Sequence, residues 1–157
     1  MRKPARLSRN FHNTFKPERQ YINALLRYAA AGKAGNYQGI ASETGIPMGG
    51  SSGKVPAIIE YCRGMGLILL SSSSHAAIKK PDLTPFGRIV LLEDPFLKLN
   101  ITQWIAHLNL CSPLSGAEVW YQVFFPGKQA LGMTFERLQL DKHLRSALKV
   151  DKPGIIG

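Results

Sequence analysis

A glycine- and serine-rich run before a lysine is the segment of this sequence best suited to binding phosphate. Gly49-Gly50-Ser51-Ser52-Gly53 precedes Lys54, where a helix is predicted to begin. Backbone N–H groups of a glycine loop at a helix N-terminus can bind a phosphate, and Lys54 adds a positive charge. The run is not a nucleotide-binding P-loop, because Met48 and Val55 occupy the positions of its first glycine and its Ser or Thr. It predicts contact with one phosphate of DNA.

Patterns for catalysis are weak. Glu93-Asp94 could hold a divalent metal for phosphodiester cleavage, but a turn before Pro95 is the simpler interpretation. No Ser-His-Asp order is legible, and the four histidines lack the spacing of metal ligands; they are His12, His75, His107 and His143. Cys62 and Cys111 match no metal or redox pattern and are expected to be buried. No cofactor is predicted, apart from a divalent metal if the chain cuts DNA.

The charge of the chain favours a polyanionic partner. Its 157 residues carry a formal net charge of +10, with 20 Lys and Arg against 10 Asp and Glu. Residues 1–20 form a predicted basic arm, which could follow phosphates or enter a minor groove. The expected DNA contacts are the arm, the start of helix three, and the cations around them: Arg6, Arg9, Lys33, Ser51, Ser52, Lys54, Arg63, Lys79 and Lys80.

The elements that would position these residues form a winged helix-turn-helix over residues 17–82. Helix one follows Pro17, helix two covers Tyr37 to Thr44, and helix three begins near Lys54. Val55, Ile58, Ile59 and Cys62 form the predicted buried stripe of helix three. Its opposite face, expected to be exposed, contains Ala57, Glu60, Tyr61 and Gly64. A wing should follow, with strands over residues 67–70 and 75–80. Such a unit places one helix against a DNA groove.

Residues 83–157 are predicted to be a helical subdomain packed on that unit. Thr84-Pro85 begins a helix to about Leu92, and another covers about Thr102 to Leu110. Ser115 and Glu118 have capping-box spacing, Pro126-Gly127 should end the helix that follows, and Thr134 should cap the last one. The fold class is therefore mostly α, with a small β-hairpin. The chain start lacks an apolar signal core and no run reaches membrane-spanning length, so a cytoplasmic protein without membrane contact is expected.

Several short motifs, in order, resemble a bacterial family found in phosphorothioate DNA modification and defence clusters. That family includes the DNA-nicking subunit of the single-stranded phosphorothioation system. The motifs span about residues 11–125 and are Phe11-His12-Asn13-Thr14-Phe15-Lys16-Pro17-Glu18-Arg19, Gly53-Lys54-Val55, Leu83-Thr84-Pro85-Phe86-Gly87, Asp94-Pro95-Phe96-Leu97, Thr102-x-Trp104-x-x-His107 and Trp120-Tyr121-x-x-Phe124. The resemblance implies a winged-helix half joined to a helical half, acting on DNA beside sulfur-incorporation proteins.

Three functions follow as hypotheses. The first is a DNA-binding protein of a phosphorothioation-linked system, which contacts duplex phosphates through the winged helix and the arm. The second, which the resemblance suggests, is a metal-dependent nickase of that system, although no nuclease motif can be matched to residues here. The third is a protein-interaction module or transcription regulator, which would dock a partner through the wing and the helices that carry Trp104 and Trp120.

Overall fold

The computed structural model describes residues 6–48, 53–71 and 75–149. The chain is mostly helical, with one antiparallel pair of strands in the described residues. The helices are α1 (Arg19–Ala30), α2 (Tyr37–Thr44), α3 (Lys54–Gly64), α4 (Pro85–Glu93), α5 (Asn100–Leu110), α6 (Glu118–Phe124), α7 (Pro126–Leu131) and α8 (Arg137–Leu148), and the strands are β1 (Ile68–Ser71) and β2 (Lys80–Leu83). None of the described helices combines the length and apolar character needed to cross a membrane.

The first three helices pack around one core. On α1, the residues Ile22, Leu25 and Leu26 recur at helical spacing and are almost fully buried. The Asn36 side chain caps α2 by accepting a hydrogen bond from the Gly39 N–H at 2.8 Å. Gly45 ends α2 in the left-handed region at φ 72°, which glycine adopts without a steric penalty. The predicted bounds of α2 are therefore confirmed.

The hairpin differs from its prediction in the second strand. β2 occupies residues 80–83 rather than 75–80, because the inward-facing Ile68 of β1 pairs with Leu83 and fixes the register. Residues 75–79 therefore belong to the connection before β2. Lys79 also forms an isolated antiparallel bridge with Gly35, which lies between α1 and α2. Two backbone hydrogen bonds close this bridge, at 2.9 and 3.1 Å.

The helix after the hairpin begins as the sequence predicts. The Thr84 hydroxyl accepts a hydrogen bond from the Gly87 N–H at 2.9 Å, and Pro85 occupies the first turn. A Cβ on Gly87 would overlap the carbonyl oxygen of Leu67, so only glycine lets α4 come this close to the hairpin. Helix α4 packs on α1, and α5 packs on α3. The second half of the chain therefore shares its core with the first half.

Two predicted helix starts in the second half are wrong. Ser115 does not cap α6, which begins at Glu118 because the backbone of Gly116 and Glu118 is hydrogen-bonded to Leu7. The predicted end of α6 before Pro126-Gly127 is confirmed, because α6 ends at Phe124. Pro126 also begins α7, since proline suits the first turn of a helix. The cap of α8 is Glu136 rather than Thr134, and Glu136 forms a reciprocal capping box with Gln139.

The N-terminal segment is part of the packed structure from residue 6 onward. Leu7 pairs with Ala117 in a parallel bridge and is buried. Phe11 is also buried, and its ring lies 4.8 Å from that of Tyr61 on α3 and 6.1 Å from that of Trp120 on α6. The described part of the predicted basic arm therefore packs on the domain, because its apolar side chains gain more by burial than by solvation.

Candidate nucleic-acid interface

Helix α3 does not present the exposed face that was predicted for it. Ala57, Tyr61 and Gly64 are buried together with the predicted apolar stripe, and Glu60 is half-buried. Tyr61 lies against Phe11 and Trp120, with ring centroids 4.8 and 6.4 Å away. A Cβ on Gly64 would come within 2.9 Å of both Leu110 and Leu7. The N-terminal segment, α5 and α6 thus cover the helix that was expected to enter a DNA groove.

Lys54 is engaged within the protein. Its Nζ lies 2.5 Å from Oε1 of Glu18, the residue that precedes α1. The ammonium group also lies 4.7 Å from the ring centroid of Tyr21 and 5.7 Å from that of Phe15, and 17% of the side chain is exposed. A carboxylate and two aromatic faces satisfy this cation. Lys54 is therefore held within the protein and its predicted phosphate contact stays a prediction, while Ser51 and Ser52 beside it lie outside the described residues.

Arg6 binds α6 and the turn before it. Its Nε donates to Glu118 at 2.6 Å, its Nη1 donates to the Pro113 carbonyl at 3.1 Å, and its guanidinium lies 4.2 Å from the Tyr121 ring centroid. Burial alone would raise the pKa of Glu118, but hydrogen bonds from Gln122 and Arg6 lower it overall. Arg6 therefore holds the N-terminal segment on α6 and is unsuited to the DNA contact predicted for it.

The two remaining arginines of the predicted set differ in their surroundings. Arg63 lies on α3 and pairs with Glu60 on the same helix, with Nη1 2.5 Å from Oε2. This pair neutralises the charge that was expected to flank helix three. Arg9 is half-buried, and no carboxylate of the described residues lies within 4.0 Å of it. Arg9 therefore keeps its charge, but it lies in the packed N-terminal segment.

Three of the predicted lysines do come together, at the end of the molecule where the hairpin meets the α1–α2 connection. We call this group, Lys33, Lys79 and Lys80, the wing-end cluster. Lys33 lies two residues before Gly35, and the Gly35–Lys79 bridge fixes the hairpin at that point. The Nζ of Lys79 donates to the Ala76 carbonyl at 2.7 Å and lies 5.8 Å from the ring centroid of Tyr37. The cluster therefore lies where the α1–α2 connection meets the hairpin.

Two carboxylates lie beside the wing-end cluster. Lys33 pairs with Glu43 of α2 at 2.5 Å, and both side chains are about half exposed (51% and 44%). The hydrogen bond that Lys33 donates to Glu43, reinforced by the negative charge of that carboxylate, raises the pKa of Lys33. Lys80 lies 3.8 Å from Asp82, again with both side chains exposed. Exposed ion pairs of this kind contribute little free energy and exchange readily for other partners.

A shallow cleft beside the cluster adds polar groups that the sequence did not single out. It has a volume of about 360 Å³ and lies between the start of α2 and the hairpin. Its lining includes Asn36, Tyr37, Gln38, Ala77 and Lys79. Asn36 could have been found from the sequence, because it stands at the cap position before a predicted helix.

The predicted contact residues do not form one surface. Lys54 lies beside the first turn of α1, whereas Lys33 follows its last turn, and a helix of 12 residues separates its ends by about 18 Å. Arg6, in the N-terminal segment, is paired with Glu118 of α6, and α6 packs against α7 and α8. The cationic side chains thus fall into separate groups, and the wing-end cluster is the group that retains exposed lysines from the predicted set.

The Glu93-Asp94 pair does not fit a metal site. Both carboxylate oxygens of Asp94 accept backbone hydrogen bonds, from Lys98 at 2.7 Å and from Leu99 at 2.9 Å. Burial would raise the pKa of Asp94, but these bonds and one from the Thr102 hydroxyl lower it overall. The described residues contain no group of three or more His, Cys, Asp or Glu able to hold a metal ion. Asp94 is therefore a structural residue that holds the backbone of the turn between α4 and α5.

Comparisons of the chain with protein-family models, with curated proteins and with solved structures found no match.

Proposed function

We propose that this protein binds duplex DNA through the phosphate backbone, using the wing-end cluster in place of helix α3. The observation that carries the proposal is the Gly35–Lys79 bridge, which ties the hairpin to the α1–α2 connection and gathers Lys33, Lys79 and Lys80. The order of three helices followed by a hairpin is that of a winged helix, in which the wing is a second element able to reach DNA.

Electrostatics support phosphate contacts by these lysines. The chain carries a formal net charge of +10, which attracts a polyanion over a distance of about one Debye length, ~10 Å at moderate salt. Glu43 and Asp82 offset two of the three charges in the cluster. Because exposed pairs are weak, Lys33 and Lys80 can exchange a carboxylate for a phosphate at little cost. Contacts of this type position a protein on DNA and carry no base information.

The resemblance to the family of phosphorothioation clusters supports the wider part of the proposal. In that setting the protein would hold DNA for the sulfur-incorporation proteins of the same system, in the cytoplasm. DNA binding without cleavage suits this role, because Asp94 is engaged by backbone N–H groups and does not serve as a metal ligand.

Binding of a labelled duplex, followed by fluorescence anisotropy, tests the proposal. The triple variant Lys33→Ala, Lys79→Ala, Lys80→Ala removes the cluster. A matched control, Lys98→Ala, Lys128→Ala, Lys142→Ala, removes the same charge from exposed positions elsewhere. We expect the cluster variant to bind about tenfold more weakly and the control to change affinity by about twofold or less.

Equal losses in the two variants would show that net charge alone attracts DNA and would overturn the assignment to the wing-end cluster. Unchanged affinity in the cluster variant would also contradict it. Circular dichroism of both variants provides the folding control.

A further inference from the structure

Helix α5 exposes an apolar face that packs on nothing in the described structure. Its inward side carries the buried Thr102, Ala106 and Leu110. Its outward side carries four large apolar side chains at the spacing i, i+3, i+4 and i+7, with these exposed fractions: Ile101 65%, Trp104 62%, Ile105 37% and Leu108 62%. A helix of a water-soluble domain normally has charged or polar residues on its outward face.

Aromatic contacts extend this face toward α6. The His107 ring lies 5.8 Å from that of Trp104 and 4.5 Å from that of Phe124, which is 49% exposed. At these fractions each large apolar side chain exposes roughly 100 Å². The four residues of α5 together with Phe124 therefore offer about 500 Å² per molecule, more than half of the ~800 Å² per partner in a stable interface.

The charge distribution limits what can cover this face. Helix α5 contains no Lys, Arg, Asp or Glu, although the chain has a formal net charge of +10. Nucleic acid would find no cation here to bind its phosphates. Two copies of the chain, in contrast, repel one another through most of their surface but can meet at α5 without opposing like charges.

The spacing of the apolar residues is also self-complementary. A two-fold axis makes residue i of one copy contact residue j of the other, and j contact i. With antiparallel helices centred between Trp104 and Ile105, each of these residues faces the other in the second copy, and Ile101 faces Leu108. Every large side chain of the face then meets an apolar partner.

We propose that the protein forms a homodimer in which two α5 helices pack antiparallel about a two-fold axis between Trp104 and Ile105. The proposal is independent of DNA binding, since the wing-end cluster and α5 are different surfaces.

Sedimentation equilibrium of the intact protein without DNA tests the proposal, with Leu108→Lys as the variant. Leu108 is exposed, so the folded monomer tolerates the change, while the dimer would bring two lysines into an apolar contact. The matched control is Leu138→Lys, at an exposed leucine of α8. We expect a dimer, a rise of about tenfold or more in the dissociation constant for Leu108→Lys, and little change for the control. A monomer at all concentrations, or a dimer insensitive to Leu108→Lys, would overturn the proposal.

Cross-linking tests the antiparallel arrangement. A mixture of the single variants Ile101→Cys and Leu108→Cys should react with a short bifunctional thiol reagent, because residue 101 faces residue 108 of the second copy. Neither variant alone should cross-link, since its two thiols would lie about 10 Å apart along the helix axes. Native Cys62 and Cys111 are buried and should stay unreactive. If each variant cross-links on its own, and mixing the two variants adds no further product, the helices are parallel and the proposal is contradicted.

Discussion

Individual cations in this protein differ in what they do, although their sequence contexts look alike. Lys54 and Lys79 both occupy the edge of a predicted DNA-binding unit. Lys54 is enclosed by Glu18 and two aromatic rings, whereas Lys79 lies in a cluster with exposed lysines. The partner of Lys54 lies 36 residues away along the chain, so its role cannot be deduced from local sequence.

Replacing Lys54 by methionine should affect stability and leave DNA binding unchanged. Methionine retains much of the apolar stem but loses the ion pair and the cation–π contacts, so the free energy of unfolding should fall by about 1 kcal/mol. Affinity for a duplex should change by about twofold or less, because the ammonium group is already satisfied. Urea unfolding and anisotropy measure the two quantities. A large loss of affinity with unchanged stability would restore Lys54 as a phosphate contact.

The Asp94 carboxylate should contribute to stability in a pH-dependent way. Asp94→Ala removes the acceptor for the backbone N–H groups of Lys98 and Leu99, in the turn before α5, and should cost about 1–2 kcal/mol at neutral pH. The folded pKa is lowered, so this contribution is present above the unfolded pKa of about 3.9 and is lost as the pH falls through the folded value.

Urea unfolding at neutral and acidic pH checks this behaviour. The difference in unfolding free energy between wild type and Asp94→Ala should shrink as the pH falls below about 4. The control is Glu93→Ala, at the exposed neighbour, which should change stability by about 0.5 kcal/mol or less. If Glu93→Ala were the more harmful change, the role of Asp94 in holding the turn before α5 would be wrong.

At the scale of elements, the sequence predicts those whose signals are local. The bounds of α2 and the start of α4 follow from Asn36, Gly45 and Thr84, which cap helices through neighbours three or four residues away. The burial of α3 depends instead on Phe11 and Trp120, which are far from it along the chain. The periodicity of apolar residues shows one buried face of a helix. It does not show that segments distant in the sequence also bury the opposite face.

Removing the Phe11 ring should uncover α3. Phe11→Ala deletes the side chain that contacts both Tyr61 and Trp120 and should lower the unfolding free energy by about 3 kcal/mol or more. Amide hydrogen exchange in α3 should also become faster. Phe15→Ala serves as the control, because Phe15 is half-buried and should cost less. Equal losses at the two positions would argue against Phe11 as the anchor of the N-terminal segment.

At the scale of the whole molecule, two surfaces have different physical characters. The wing-end cluster is polar and cationic, and α5 presents an uncharged apolar face. The net charge of +10 could be read from composition, but its distribution over the surface could not, since pairs such as Arg6–Glu118 join residues 112 positions apart. Our account assigns DNA to the first surface and a second copy of the chain to the other.

The dependence of DNA affinity on salt tests the central claim most directly. Each phosphate contact contributes about 0.9 to the slope of log affinity against log salt concentration. Replacing Lys33, Lys79 and Lys80 by alanine should therefore reduce the magnitude of the slope by about 2.7, whereas the control at Lys98, Lys128 and Lys142 should leave it nearly unchanged. A slope that is the same in wild type and in the wing-end variant would contradict our account.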